Sequence, residues 1–185
     1  MHTKKNLKRE PNVLYLDVKI FIFAALNTEK EGAKAVELLM KIQLGEEKAI
    51  TSALTFDEVF WKVKKNRGVE KALETTEAML NFPNLEIVAA DKEVVNSAIQ
   101  LIRKYNLAVR DAFHAATDIA EKVECLISTD AHFDKVKELK QKIYNNPIYL
   151  SKLKLSWLFW FLMLLKILRL RLSSFLELRL GHIYH

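Results

Sequence analysis

One cysteine, Cys125, is all that the 185 residues contain. No intrachain disulfide can form, and a four-cysteine zinc site is excluded. A reducing cytoplasm fits that usage. Cys125 lies in the apolar run Val123-Glu124-Cys125-Leu126-Ile127, where a buried small hydrophobe is expected rather than a nucleophile. No apolar stretch follows the first lysines, so no secretory leader is expected. No internal repeat or low-complexity stretch precedes residue 150. The middle of the chain is also short of positive charge. The whole carries a net +6, but residues 12–150 hold nineteen Lys/Arg against twenty-one acids, a net of −2. The excess sits at the ends, +3 over residues 1–11 and +5 over 151–185. An acidic middle meets a polyanion only through a local basic patch or a bound cation.

Apolar residues make up 50% of the chain, enough for one globular domain with a real core. Short apolar runs alternate with segments of helical spacing. Val13-Leu14-Tyr15-Leu16 reads as a buried strand ending at Asp17, and the apolar segment Ile20 to Leu26 follows. Residues 29–44 repeat apolar side chains at helical spacing (Ala33, Val36, Leu39, Met40, Leu44), and Gly45 supplies a stop. Ala49-Ile50 is a brief strand. Thr55 to Lys65 and residues 69–80 are helices broken at Gly68. Leu85 to Val88 is a strand, and residues 91–104 are a helix with Asp91 as its cap. Residues 111–122 form an Ala-rich helix whose Ala112, Ala115 and Ala116 suit close packing on a sheet. Cys125 to Ile127 is a strand, and a last one is expected at Lys142 to Tyr144. Alternation of this kind implies βα crossovers and a parallel sheet covered on both faces. Sites in such sheets form beyond the carboxyl ends of the strands. Asp17 and Asp130 stand at two of those ends.

Four acidic segments are spaced along this pattern: Leu16-Asp17-Val18, Thr55-Phe56-Asp57-Glu58-Val59, Arg110-Asp111-Ala112-Phe113-His114-Ala115-Ala116, and Ser128-Thr129-Asp130-Ala131-His132-Phe133-Asp134. Clustered carboxylates repel one another, and a hard divalent cation relieves that repulsion while activating water and stabilising charge on a phosphate. Each acid alone has a plainer reading. Asp17 would close a strand, Glu58 would be solvated, and Asp111 and Asp130 would cap helices. Asp118, two turns after Asp111, reads as structural or solvated. His114 and His132 read as a packed or surface histidine before a general acid or a phosphate contact.

In order and spacing, over about residues 12–150, these segments resemble the PIN-domain family, and its VapC-like prokaryotic ribonucleases in particular. The resemblance implies a three-layer α/β/α sandwich with a short parallel central sheet. It implies endonucleolytic cleavage of RNA with Mg²⁺ or Mn²⁺, and a toxin held in check by a small antitoxin protein. It makes Asp17, Glu58, Asp111 and Asp130 the catalytic acids, with Asp17, Asp111 and Asp130 on the metal and Asp134 as an auxiliary acid. Lys62, Lys64, Lys65 and Arg67, the densest basic cluster of the middle region, are the candidate contacts to RNA phosphates, although a helix C-terminus also favours such charge. Phe60 and Trp61 beside them read as core rather than base-stacking residues.

Two features depart from the family's pattern. Lys19 stands where a small polar residue is usual. A lysine there can pair with Asp17 or Asp111 and compete with a metal, point away, or contact phosphate; the first case makes the alternative function a weakly active or inactive PIN-fold binding module. A signalling receiver domain also sets Asp at strand ends, but Val18 and Lys19 occupy the place of its second acid. The other departure is the extension over residues 151–185. Its uncharged run Leu155–Leu165 has eleven residues. As a helix that run spans roughly 16 Å, short of a hydrocarbon core of ~30 Å. Lys166, Arg169, Ser173 and Glu177 fall on one helical stripe, so the second half reads as amphipathic. A docking helix, a homodimer contact or a tail without evolved role is expected before a membrane contact. Residues 1–11 read as a basic arm.

Overall fold

The computed structural model describes residues 13–26 and 30–143, the last three by backbone alone. The basic arm over residues 1–11 and the extension over 151–185 lie outside the described residues. Among those described, no helix is long and apolar enough to cross a membrane.

The elements run in the order β1 (Val13–Leu16), α1 (Val18–Leu26), α2 (Lys30–Leu44), β2 (Lys48–Ser52), α3 (Leu54–Arg67), α4 (Val69–Leu80), β3 (Leu85–Val88), α5 (Lys92–Tyr105), α6 (Val109–Glu121), β4 (Cys125–Ser128), a 3-10 turn (Ala131–Lys135) and β5 (Gln141–Ile143). The five strands form one sheet in the order β3-β2-β1-β4-β5, with all pairs parallel. A receiver domain of the flavodoxin-like type has the order 2-1-3-4-5, so that reading is set aside.

Strand alternation divides the core into two layers. Leu14, Leu16, Ala49, Cys125 and Ile127 pack with residues of α1 to α4, and Val13, Tyr15, Ile50 and Leu126 pack with α5 and α6. This is the three-layer α/β/α sandwich expected from the sequence. Every residue of β1 and β4 is buried. A fully buried large apolar side chain is worth roughly 1.5–3 kcal/mol. That burial sets the two central strands firmly enough to carry acids at their ends.

Local chemistry fixes where the helices begin and stop. The Asp91 carboxylate accepts from the Glu93 and Val94 backbone N–H groups, both at 3.0 Å, and so caps α5 as its sequence suggests. Gly68, at φ +88°, breaks the chain between α3 and α4 in a backbone region that side chains disfavour. The start of α3 lacks a side-chain cap and is tied to β1 instead. Thr51 Oγ1 donates to the Leu16 carbonyl at 2.9 Å and lies 2.7 Å from Thr55 Oγ1. The tie holds the first turns of α3, and Glu58 with them, near the end of β1.

Two expectations about packing are corrected. Helix α2 buries Gly32, Ala35, Leu38, Lys41 and Ile42. Ala33, Val36 and Leu44 are exposed, and Leu39 and Met40 are half-buried. The helix is apolar on two faces, and the core takes the one that carries Ala35, Leu38 and Ile42. On α3, Phe60 does pack against the core, but Trp61 is 57% exposed.

Candidate active site

β1 lies between β2 and β4, and chain direction across the sheet reverses there. That topology opens a crevice beyond the carboxyl ends of the strands. Asp17 follows β1 directly, and its backbone N–H donates to the Ile127 carbonyl at 3.1 Å. Its side chain is only 3% exposed. Ser128, the last residue of β4, donates through Oγ to Asp17 Oδ2 at 2.6 Å and accepts from the Asp130 N–H at 2.9 Å. One serine thus ties together the acids that end two adjacent strands.

Asp130 is held from three directions. Its Oδ1 accepts from the His132 N–H at 3.0 Å, so it does cap the 3-10 turn. Its Oδ2 accepts from Lys19 Nζ at 2.8 Å. The His132 imidazole places Nδ1 3.2 Å from Asp130 and 3.3 Å from Asp111 Oδ2, so one exposed ring spans two acids. Lys19 therefore bonds Asp130, not Asp17 or Asp111 as its sequence position suggests. Asp111 sits in the first turn of α6. The helix begins two residues earlier than expected, with Ala108 at the cap position, so the Asp111 carboxylate is not spent on capping.

Glu58 is half-buried rather than solvated. Its Oε1 lies 2.9 Å from His114 Nε2, and Arg110 Nη1 lies 3.9 Å from Oε2. Arg110 also donates to Asp57 at 3.0 Å. His114 is the packed histidine of the two and is 1% exposed. Asp134 is exposed on the 3-10 turn, outside this web of bonds. Lys62, Lys64, Lys65 and Arg67 are exposed on the C-terminal half of α3, where Lys64 Nζ lies 5.6 Å from the centre of the Trp61 ring. Asp118 is buried, not solvated, and its Oδ2 has no hydrogen-bond partner among the described residues. A surface depression lined by Val13, Lys48 and Leu85 lies at the opposite, amino end of the strands, away from these acids.

Burial pushes the Asp17 carboxyl above its ordinary value, outweighing the opposing pull of the Ser128 hydrogen bond, the Val18 N–H and the Lys19 charge. Burial acts the same way on Asp130. There the Lys19 hydrogen bond, the His132 N–H and the charges of both side chains together win, and the carboxyl falls below its usual range. The site is thus uneven, with one acid deeply desolvated and its neighbour already paired with the Lys19 ammonium.

The residues that sequence reasoning missed are the supports. Ser128 and Arg110 stand inside the quoted acidic segments, so adjacency was a usable signal for both. Tyr15, whose hydroxyl lies 2.7 Å from His114 Nδ1, gave none, because the two are 99 residues apart.

The donors suit a hard divalent cation, since Asp17, Asp111 and Asp130 offer carboxylate oxygens. They do not form a ready cage. Among the described residues, no group of three or more His, Cys, Asp or Glu side chains is arranged to hold a metal ion. Lys19 and His132 occupy the carboxylates instead. His132, 66% exposed, is free to swing away on its own side chain, and Lys19 also reaches the surface.

The fold has close structural counterparts. A chain of the VapBC2 complex from Rickettsia felis, solved bound to a DNA fragment from its promoter, superposes with a TM-score of 0.56 at 17% identity, covering 70% of this chain and 97% of that one. VapC20 of Mycobacterium tuberculosis, a toxin that cleaves the sarcin-ricin loop, gives 0.57 at 11% identity, with 67% and 95% covered. VapBC-1 from nontypeable Haemophilus influenzae gives 0.56 at 15%, with 72% and 99% covered. Identities this low establish a shared fold and nothing finer. Among curated proteins, no relative matches the sequence. The PIN domain family profile matches residues 14–139, from the first strand through the last acidic segment. With that match, over a sandwich whose acids gather at the strand ends, the chain belongs to the PIN domain family.

Proposed function

We propose that this protein is a divalent-metal-dependent endoribonuclease, the toxin of a type II toxin–antitoxin pair. The observation that carries the reading is the web joining four acids from distant stretches: Asp17 to Asp130 through Ser128, Asp130 to Asp111 through His132, and Glu58 to α6 through His114. Asp17, Asp111 and Asp130 would hold Mg²⁺ or Mn²⁺. When bound, the ion supplies Lewis acidity at the scissile phosphate. Lys19, His132 and Arg110, released from their carboxylates, are placed to meet the phosphates on either side. Glu58, gripped at one oxygen, orients the attacking group. Lys62, Lys64, Lys65 and Arg67 extend the positive rim along α3.

A small antitoxin is the expected protein partner. Exposed Phe56 and Trp61 on α3, Leu73 and Leu80 on α4, and Val36 and Leu44 on α2 leave apolar surface suited to an amphipathic helix. A small gene immediately upstream would support this partner. A homodimer would use the same kind of surface.

The test is a cleavage assay on single-stranded RNA with purified full-length protein. Cleavage with Mn²⁺ or Mg²⁺ that stops on chelation supports the reading, and metal-independent behaviour sinks it. Lys19 favours a second reading, the inactive binding module, because its ammonium already neutralises Asp130. The Lys19→Asn variant separates the two. Removing a partly solvated cation at the site should tighten Mn²⁺ binding by about tenfold in calorimetry. If the wild type binds no Mn²⁺ and cleaves nothing while Lys19→Asn does both, the binding-module reading is correct.

A further inference from the structure

Beneath the acids runs a second line of hydrogen bonds, buried almost completely. Tyr15 is two residues before Asp17 on the same face of the chain, and His114 is one helical turn after Asp111. Each acid-bearing element therefore carries one member of the line a step deeper in the core. The Tyr15 hydroxyl lies 2.7 Å from His114 Nδ1, and His114 Nε2 lies 2.9 Å from Glu58 Oε1. Tyr15 and His114 are 0% and 1% exposed, and their rings meet edge to face at 5.9 Å.

The direction of the protons follows from the ends. Glu58 Oε1 is a carboxylate oxygen and accepts, so His114 Nε2 carries a proton toward it. The other ring nitrogen, Nδ1, is then the acceptor, and the Tyr15 hydroxyl at 2.7 Å donates to it. An imidazole that accepts at Nδ1 carries its proton at Nε2. That proton points at Glu58.

We propose that Tyr15 and His114 are positioning residues for Glu58: Tyr15 fixes the Nε2–H tautomer of His114, and the imidazole pins Oε1 of Glu58, leaving Oε2 for the reaction. The role in cleavage rests on the ribonuclease reading, but the tautomer does not. Groups that orient a catalytic or metal-binding side chain typically change activity by 10–100-fold when removed, through kcat rather than substrate affinity.

The experiment has two arms on the full-length protein. In ¹⁵N NMR, the wild type should show His114 with a bare Nδ1 and a protonated Nε2, and Tyr15→Phe should lose that preference. In the RNA cleavage assay, Tyr15→Phe should lower kcat about tenfold and His114→Leu about a hundredfold, with KM within about twofold of wild type. His114→Gln, whose amide can still donate to Glu58, should recover most of the loss. A proton on Nδ1 in the wild type overturns the proposal, as does a Tyr15→Phe enzyme with unchanged kcat, or a loss carried by KM. If His114→Leu fails to fold, Tyr15→Phe decides, since it removes one hydroxyl only. If the wild type cleaves no RNA, the ribonuclease reading falls separately and the tautomer alone decides whether this line holds Glu58.

Discussion

Asp17→Asn should abolish metal-dependent RNA cleavage, by on the order of 10³-fold or more, while raising the melting temperature of the metal-free protein. The two effects have opposite signs for one reason. Asp17 is almost wholly buried, and burial holds its carboxyl above its ordinary value. A carboxyl raised on folding binds its proton more tightly in the native state. Stability is therefore lost as pH climbs from the unfolded value through the folded one, and the charged form weakens the fold at pH 7. Asparagine keeps the shape, and its amide oxygen still accepts from Ser128 Oγ. The burden of a desolvated charge goes, and so does the negative oxygen that a divalent ion needs. Mg²⁺ or Mn²⁺ should raise the melting temperature of the wild type but not of the variant. Cleavage assays and thermal melts at pH 7, each with metal and with chelator, check both halves. A variant that loses stability as well as activity would mark Asp17 as a structural strand cap and would remove the centre of the proposed site.

The same asymmetry explains how the site holds together without metal. Asp130 has Lys19 and His132 upon it, and Asp111 shares the same imidazole. The chain supplies its own cations where repulsion would otherwise be worst. Asp17 is reached by the Lys19 charge through its field, but burial still dominates. A metal would thus gain most at Asp17 and would have to displace Lys19 or His132 at Asp130. Lys19→Asn is therefore the change that tests the nuclease reading against the binding-module reading.

Local pattern carried the fold into view before any coordinates did. Val13 to Leu16 and Cys125 to Ile127 are apolar runs bounded by polar residues, and buried parallel strands have little other sequence to choose from. Asp91 announced a helix start because a carboxylate before a helix has few better uses. What failed was the choice of face. Helix α2 carries apolar residues on two stripes, and periodicity alone does not say that Ala35, Leu38 and Ile42 enter the core while Val36 and Leu44 do not. Trp61 misled for a related reason, since size suggests burial but the interior side of α3 belongs to Thr55, Val59 and Val63. At the site, the acids were legible by spacing, and their partners were not. Lys19 meets Asp130 across 111 residues, and Tyr15 meets His114 across 99. Such pairs are set by which strands lie side by side, and that is decided by the whole sheet.

Asp118→Asn should give a large gain in stability at neutral pH. Asp118 lies on α6 two turns past Asp111, 5% exposed, with Oδ2 unpartnered among the described residues. Burial pushes its carboxyl from 3.8 up to about 7. A rise of about three units, at 1.36 kcal/mol each, makes the ionised form cost about 4 kcal/mol of folding stability. The folded state holds this proton through a range in which the unfolded chain has lost it. Wild-type stability should therefore fall steadily between about pH 4 and pH 7 and flatten above. Asp118→Asn removes the titration. The new amide N–H also lacks a partner, which takes back part of the gain. Urea denaturation should show the variant close to wild type at pH 4.5 and about 3 kcal/mol more stable at pH 8. Equal stabilities at pH 8 would mean that water or a neighbouring group already satisfies the carboxylate. Because Asp118 lies outside the web that joins the four acids, cleavage by the variant should remain near the wild-type rate, so that a buried charge is separated from a working one by the pH at which each is felt.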